Sequence, residues 1–162
     1  MEKRDGRTNL ARQKKKWFIR RGKRHNGSLG KLLLWGKENL PVGYIQFGPI
    51  SEYGTLRLYY QDTLPIPKGG WCIVCVAVQS PYRGQGLATR LVRNVLRDIK
   101  SRGVKTVDAY PPSGTNSWNQ VSQGPTNLWE RCGFKMVTKI CPAKGDPIPN
   151  NDEGVLLMRK KW

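Results

Sequence analysis

Acidic residues and histidine are scarce in this sequence of 162 residues. Asp and Glu number 11 against 29 Lys and Arg, the single histidine is His25, and the formal net charge at pH 7 is +18. A chain this basic attracts polyanions such as nucleic acids, ribosomes or acidic membranes, although a solvated basic surface explains the composition equally well. Residues 1–24 hold eleven Lys and Arg against Glu2 and Asp5, so half of the excess charge, +9, lies there.

Long hydrophobic runs are also missing. No apolar stretch approaches the roughly 20 residues that a bilayer-spanning helix needs. The charged residues after Met1 are not followed by the hydrophobic segment of a signal peptide. We therefore expect a cytoplasmic protein with no membrane span. Its length predicts one domain, which we place at residues 10–162 after a disordered basic tail at residues 1–9.

Four cysteines are too few, and too far from His25, to indicate a metal centre or a disulfide framework. Cys72 and Cys75 have a spacing that some zinc sites use. Residues three apart in a strand point to opposite faces, however, so this pair should not hold one ion. We expect no metal site, and we interpret these two thiols, with Cys132 and Cys141, as small buried groups in a reducing compartment.

The most regular pattern in the chain lies between residues 71 and 102. An apolar, β-rich run from Trp71 to Val78 leads into a turn containing Gly84 and Gly86. The next residues place an apolar stripe at helical spacing. The stripe consists of Leu87, Leu91, Val95, Leu96 and Ile99. The glycines let backbone N–H groups converge on the positive end of a helix, which suits a phosphate, although many strand-to-helix turns contain glycine for steric reasons alone.

The amino-acid sequence of the turn resembles a motif of a known family. Residues 83–88, RGQGLA, match the Arg/Gln-x-x-Gly-x-Gly/Ala pyrophosphate loop of the GCN5-related N-acetyltransferase (GNAT) superfamily. Residues 127–134, NLWERCGF, resemble its second motif, a short helix that ends in Gly-Phe, and residues 43–49 look like its third strand. The resemblance covers roughly residues 31–162. It is specific for the superfamily and says little about the acceptor.

The resemblance implies an α/β (α+β) fold. Its central sheet is mixed, mostly antiparallel, flanked by helices and splayed between the family's fourth and fifth strands, here residues 71–78 and 105–110. The residue pattern adds a helix over residues 10–24 and a hairpin of residues 31–35 and 41–47. Residues 113–124, rich in Ser, Asn, Gln and Gly, are expected to form a long mobile loop.

One part of the family's fold has no counterpart here. The family usually has a strand and a helix before the helix that we place at residues 10–24. This chain either is a minimal version of the fold or has a sheet edge that another chain completes, as in a homodimer.

The resemblance also implies that acetyl-CoA is bound in the gap between the two splayed strands. Its pantetheine arm would pair with the central strand, and its pyrophosphate would lie against the glycine loop. The predicted cofactor-binding residues are Val76, Ala77, Val78, Arg83, Gly84, Gln85, Gly86, Leu87, Ala88 and Trp129.

Acetyl transfer in the family is direct, so the protein must help to deprotonate an amine and to protonate the departing thiolate. Glu52 and Asp108 are the candidate bases. The family's usual acid is a tyrosine, and here Trp129 stands at its position. An indole N–H cannot serve as an acid at neutral pH. Tyr110 or water is then the candidate acid, and binding of coenzyme A without efficient catalysis is a further interpretation.

Two functions follow from these observations. The preferred one is an acetyl-CoA-dependent N-acetyltransferase that acts on a primary amine of unknown identity. The alternative is a nucleic-acid or ribosome-binding protein on a GNAT scaffold, which would use basic residues 1–24 with Trp17.

Overall fold

The computed structural model describes residues 6–54, 56, 65–113, 123–140 and 154–162, with side chains in the first helix described from residue 12 onward. The elements in chain order are α1 (Gly6–Arg24), β1 (Gly30–Trp35), β2 (Leu40–Pro49), β3 (Trp71–Val78), α2 (Leu87–Ser101), β4 (Thr106–Ala109), α3 (Thr126–Arg131), β5 (Lys135–Ile140) and β6 (Val155–Lys161). Residues 1–5 of the predicted tail, most of the predicted loop at 113–124, and Cys141 lie outside the described residues.

The six strands form one sheet in the order β1-β2-β3-β4-β6-β5. The β3–β4 pair is parallel, and the other neighbouring pairs are antiparallel. The prediction of a mixed, mostly antiparallel sheet with flanking helices is therefore confirmed. The predicted hairpin is also present, as β1 and β2.

The first helix is longer than predicted. It begins at Gly6, four residues before the expected start at Leu10, so residues 6–9 belong to the helix and not to a disordered tail. The sequence between Gly6 and Leu10 contains no proline, and its residues carry only modest helix penalties. The helix can therefore extend into the polar segment without an apolar repeat there.

Strand β3 contains a bulge at Val74. Its pairing with β2 shifts from Phe47↔Ile73 to Gln46↔Cys75, so Val74 is an extra residue in β3. The bulge reverses the alternation of side chains beyond it. Sequence reasoning on Cys72 and Cys75 assumed an unbroken strand, and on that point it was wrong.

The side chains around the two thiols show that Cys72 and Cys75 lie on the same face of the sheet. Tyr110 hydrogen bonds to Cys72, Tyr44 hydrogen bonds to Cys75, and Tyr53 neighbours both Cys72 and Tyr44. We call this face, which carries the three tyrosines, the tyrosine face.

The main core lies on the opposite face, under α2. Apolar residues of α2 pack there against alternate residues of the central strands, including Ile45, Phe47, Ile73 and Val107. The buried residues of α2 are Leu87, Leu91, Val92, Val95, Leu96 and Ile99. This packing fixes the start of α2 at the end of β3, where the glycine turn lies.

Candidate active site

The glycine turn has the geometry of a phosphate-binding loop. Gly84 and Gly86 adopt φ values of +78° and +73°, in the left-handed region that favours glycine. Gly86 is the N-terminal cap of the 15-residue helix α2, and no side chain among the described residues hydrogen bonds to that cap. The first N–H groups of the helix therefore face the turn at the positive end of the helix dipole.

Space is available beside both glycines. A Cβ placed on Gly84 or on Gly86 would meet no other heavy atom within 4 Å. Protein packing therefore does not exclude a side chain at either position, and the positive φ is the local reason for glycine. The open space beside the uncapped N-terminus of α2 fits the pyrophosphate of acetyl-CoA.

The pairing of β3 with β4 stops where the family resemblance implies a gap between the two strands. Their parallel pairing extends from Trp71↔Val107 to Ile73↔Ala109, and β3 continues for five residues beyond it. The splay begins at the bulge residue, Val74, because the extra residue and the added twist turn the rest of β3 away from its neighbour.

Backbone groups of β3 point into this gap. The N–H of Gln79 donates to the carbonyl of Val42 at 2.8 Å, so the alternation of an antiparallel ladder directs Ala77 toward β2 and directs Val76 and Val78 away from it. The backbone groups of Val76 and Val78 therefore lie outside the ladder with β2, and their contact with a pantetheine arm stays a prediction. The backbone of Ala77 instead belongs to the ladder with β2, so any contact between Ala77 and the cofactor would have to come from its side chain.

Arg83 lies at the mouth of the gap. Its Nε donates to the carbonyl of Val78 at 2.9 Å. Arg83 and Gln85 are exposed on the loop, while Leu87 is buried beneath it and Ala88 is partly buried. The guanidinium of Arg83 therefore joins the loop to the end of β3.

Gln123 fills the closed end of the gap, and sequence reasoning missed it. This residue is 7% exposed. Its Nε2 donates to the carbonyl of Val74 at 2.6 Å, and its Oε1 accepts from the N–H of Tyr110 at 3.3 Å. A polar residue in a segment rich in Ser, Asn and Gly gave no signal of burial.

Trp129 is a core residue with no exposed surface, and this burial opposes its assignment to the cofactor site. It is fully buried, and its ring packs edge-on against Phe134 with centroids 5.2 Å apart. Its Nε1–H donates to the main-chain carbonyl of Gln123 at 2.8 Å. Trp129 therefore anchors the packing of α3 and the main chain at Gln123.

Glu52 is held in an ion-pair cluster, and this corrects its assignment as a general base. Its carboxylate pairs with Arg21 and accepts a hydrogen bond from Nε2 of His25 at 2.9 Å. Burial, with the cations Arg24, Arg21 and Arg102 nearby, holds the pKa of His25 below its ordinary value. The ring of His25 contacts Trp71 at the start of β3, the opposite end of the strand from the glycine loop.

Asp108 is also committed to a structural role. It is fully buried and accepts two hydrogen bonds from Arg159 of β6, one from Nε at 2.7 Å and one from Nη2 at 2.8 Å. A carboxylate held by both oxygens is a poor proton acceptor, because removing its charge would leave Arg159 with a buried and unbalanced charge. The structure therefore opposes the assignment of Asp108 as the general base.

Tyr110 lies on the tyrosine face and is 1% exposed. Its hydroxyl hydrogen bonds to Cys72, whose thiol pKa is raised well above its ordinary value by burial and by the neighbouring Asp108 carboxylate. Burial likewise raises the phenol pKa of both Tyr44 and Tyr53. These hydroxyls are protonated at neutral pH and can donate hydrogen bonds.

The described part of the chain contains no group of three or more His, Cys, Asp or Glu side chains placed to hold a metal ion. Within the same residues, no helix is both long enough and apolar enough to cross a membrane.

Comparisons with solved structures agree with this architecture. A ribosomal-protein-alanine N-acetyltransferase from Brucella melitensis superposes with a TM-score of 0.60 and 20% identity, over 93% of this chain and 78% of that one. Arabidopsis thaliana Naa50 in complex with the bisubstrate analogue CoA-Ac-MVNAL superposes with a TM-score of 0.56 and 15% identity, over 83% of this chain and 73% of that one. An acetyltransferase from Elizabethkingia anophelis with acetyl-CoA bound superposes with a TM-score of 0.55 and 16% identity, over 83% of this chain and 77% of that one.

At these identities the structural matches show the fold. No curated protein matches the chain in sequence. The family model described as "Acetyltransferase (GNAT) family" matches residues 3–134 of the sequence. This range includes the glycine loop, strands β3 and β4, and the Gly-Phe motif. The chain belongs to the acetyltransferase (GNAT) family, and its glycine loop and gap fit the family's cofactor, acetyl-CoA.

Proposed function

We propose that this protein is an acetyl-CoA-dependent N-acetyltransferase that transfers an acetyl group directly to a primary amine. One observation carries the proposal: the uncapped start of α2, with its two left-handed glycines, opens onto the gap beside β3. A phosphate site next to a strand with outward-facing backbone groups suits a ligand that carries both a pyrophosphate and a peptide-like arm.

Each part of the site has a separate task in this proposal. N–H groups of the loop and of the first turn of α2 hold the pyrophosphate, and the backbone of Val76 with the N–H of Val78 orients the pantetheine arm, because the Val78 carbonyl accepts from Arg83. When bound, acetyl-CoA supplies an activated acetyl thioester. The chain itself contributes position and orientation, which are large terms in a reaction between two bound substrates.

The acceptor that suits this site best is an α-amine. Both carboxylates considered as bases, Glu52 and Asp108, are held in ion pairs. A weakly basic acceptor needs less help to lose its proton, and an α-amine has a pKa of about 7.7–8.0, against about 10.4 for a lysine side chain. A protein with a net charge of +18 also lowers the pKa of a nearby ammonium group.

Two of the structural neighbours support this acceptor class. One is a ribosomal-protein-alanine N-acetyltransferase, and the other is bound to a bisubstrate analogue that joins CoA to the peptide MVNAL. We therefore propose the N-terminus of a peptide or protein as the acceptor. Tyr110 remains our candidate for protonating the thiolate, with water as the alternative.

A peptide with a free α-amine and one internal lysine tests this acceptor. The protein is incubated with acetyl-CoA and this peptide, or with the same peptide carrying a blocked N-terminus, and the acetylated position is read by mass spectrometry. We expect acetylation at the α-amine and little on the blocked peptide. Equal acetylation of lysine in both peptides would overturn the α-amine proposal and leave N-acetyl transfer standing.

A specific observation supports a second role, nucleic-acid or ribosome binding. Helix α1 contains no acidic residue. Lys14 lies over the ring of Tyr44 and Arg21 pairs with Glu52, whereas the other described cations of α1 are exposed. The exposed cations are Arg12, Lys15, Lys16, Arg20, Lys23 and Arg24.

The partner proposed for this basic face is a nucleic acid, free or within a ribosome. The aromatic residues Trp17 and Phe18 are partly buried against the core, so Ile19, at 53% exposure, is the large apolar residue that the described part of α1 presents to solvent. Membrane insertion requires a broader apolar face, and protein interfaces usually need an aromatic anchor. A phosphate backbone needs neither.

A further inference from the structure

Gln123 occupies the point at which the β3–β4 ladder ends. The last paired residues are Ile73 and Ala109. Immediately beyond them, the side-chain amide of Gln123 joins the carbonyl of Val74 to the N–H of Tyr110. A carboxamide has the same donor and acceptor groups as a peptide bond, so this side chain takes the place of a further backbone link between the strands.

Inserting a side chain between two strands also keeps them apart. Directly paired strands lie about 4.8 Å apart. Here the two backbone groups are each bonded to opposite ends of one amide, through contacts of 2.6 Å and 3.3 Å. Without the amide, the Val74 carbonyl and the Tyr110 N–H would be left unsatisfied in a buried place or would draw the strands together.

The position of Gln123 is itself fixed by Trp129. The indole N–H donates to the main-chain carbonyl of Gln123, and the ring is fully buried against Phe134. Helix α3 therefore holds the residue that closes the gap. This contact gives a physical role to the tryptophan that stands where the family usually has a tyrosine.

We propose that Gln123, anchored by Trp129, is a positioning residue that sets the width and the closed end of the gap that receives the pantetheine arm of acetyl-CoA. The inference rests on the proposed function, because it assigns the gap to that arm. Gln123 is not expected to touch the reacting atoms. It acts through β3, by holding the Val74 carbonyl and thereby the direction of the strand that follows.

The test separates the two halves of the cofactor. Calorimetry measures the affinity of the unaltered protein and of Gln123→Met for acetyl-CoA and for 3′-phosphoadenosine 5′-diphosphate, the nucleotide half of coenzyme A. Methionine keeps the length of the side chain and removes both hydrogen bonds. We expect about tenfold weaker binding of acetyl-CoA, as for the loss of one or two buried hydrogen bonds, and unchanged binding of the nucleotide.

A matched control and a second variant complete the experiment. Gln79→Met removes a glutamine whose Nε2 donates to the Pro41 carbonyl at an exposed site, and it should leave both affinities unchanged. Gln123→Glu keeps an acceptor for the Tyr110 N–H and loses the donor to the Val74 carbonyl. It should therefore also bind acetyl-CoA more weakly and bind the nucleotide with unchanged affinity. If Gln123→Met does not fold, the test uses Gln123→Glu alone.

The outcomes are distinguishable. If the unaltered protein binds both ligands and the Gln123 variants lose affinity for acetyl-CoA alone, the positioning role is supported. If the variants lose affinity for both ligands equally, or for neither, the positioning role is overturned while the cofactor site stands. If the unaltered protein binds neither ligand, the proposed function and this inference both fail.

Discussion

At the scale of single residues, a carboxylate that could act as a base is not always free to accept a proton. Asp108 is a carboxylate on β4, opposite Cys72 of the central strand, yet both of its oxygens are bonded to Arg159, which is 51 positions away in sequence. Glu52 is held in the same way by Arg21 and His25. A sequence presents each carboxylate without its partner, and the partner decides whether the group can accept a proton.

The ion pair of Asp108 predicts a stability defect in place of a catalytic one. Asp108→Asn leaves Arg159 buried beside a neutral group and should lower the free energy of unfolding by about 3 kcal/mol. Urea unfolding measures the loss, and turnover per folded molecule should stay near that of the unaltered protein. As a control, Asp98→Asn breaks the more exposed pairs with Lys31 and Arg102 and should cost about 1 kcal/mol or less. Normal stability with lost turnover would restore Asp108 as the base.

His25 predicts how stability changes with pH. Its pKa is lower in the folded protein than in the unfolded chain, so the unfolded chain binds more protons as the pH falls through about 6.5. The free energy of unfolding should therefore decrease between about pH 7.5 and pH 5.5. The chain has one histidine, so His25→Gln should flatten this part of the profile. An unchanged slope in the variant would assign the effect to another group.

At the scale of elements, local patterns in the sequence predicted local structure. The hairpin, helix α2 and the glycine loop each follow from residues close together in the chain, and each was predicted at nearly its observed position. The bulge at Val74 and the bridge made by Gln123 depend on pairing between distant segments. A prediction from regular strand alternation therefore put Cys75 on the wrong face of the sheet. The composition of residues 113–124 gave no reason to expect a buried glutamine at the end of the gap.

The two ends of α2 offer a matched test of the phosphate loop. Gly86 at the start and Gly103 just after the end have φ values of +73° and +80°, and a Cβ at either would meet no atom within 4 Å. Substitution by alanine should cost about 1 kcal/mol of stability at each site, because both require a left-handed backbone. We expect Gly86→Ala to lower the affinity for acetyl-CoA at least about tenfold, as measured by calorimetry. Gly103→Ala should leave this affinity unchanged. Equal affinities in the two variants would remove the loop from the site.

At the scale of the whole molecule, charge and sheet edges govern association. Strand β1 lies at one edge of the described sheet and exposes Leu32 and Leu34, at 65% and 49%. An apolar edge of this kind supports the proposal of a homodimer. Its test is the mass measured by sedimentation, with Leu32→Lys as the variant expected to remain monomeric.

The basic face of α1 predicts nucleic-acid binding that depends on position as well as on net charge. Replacing Lys15, Lys16 and Lys23 by alanine should reduce the slope of log affinity against log salt by about 3, one for each phosphate contact. The control replaces three exposed lysines elsewhere, at positions 68, 105 and 161, and has the same net charge. If both variants lose the same affinity for a short RNA or DNA, the binding reflects charge alone and α1 is not a specific face.

Titration of acetyl-CoA into the unaltered protein and into Gly86→Glu, at moderate and at high salt, tests the central claim most directly. A molecule with a charge of +18 attracts any polyphosphate, and salt screens that attraction much more than it weakens a formed site. Our account predicts saturable one-to-one binding that persists at high salt and is lost in the variant. Weak binding that salt abolishes equally in both proteins would contradict it.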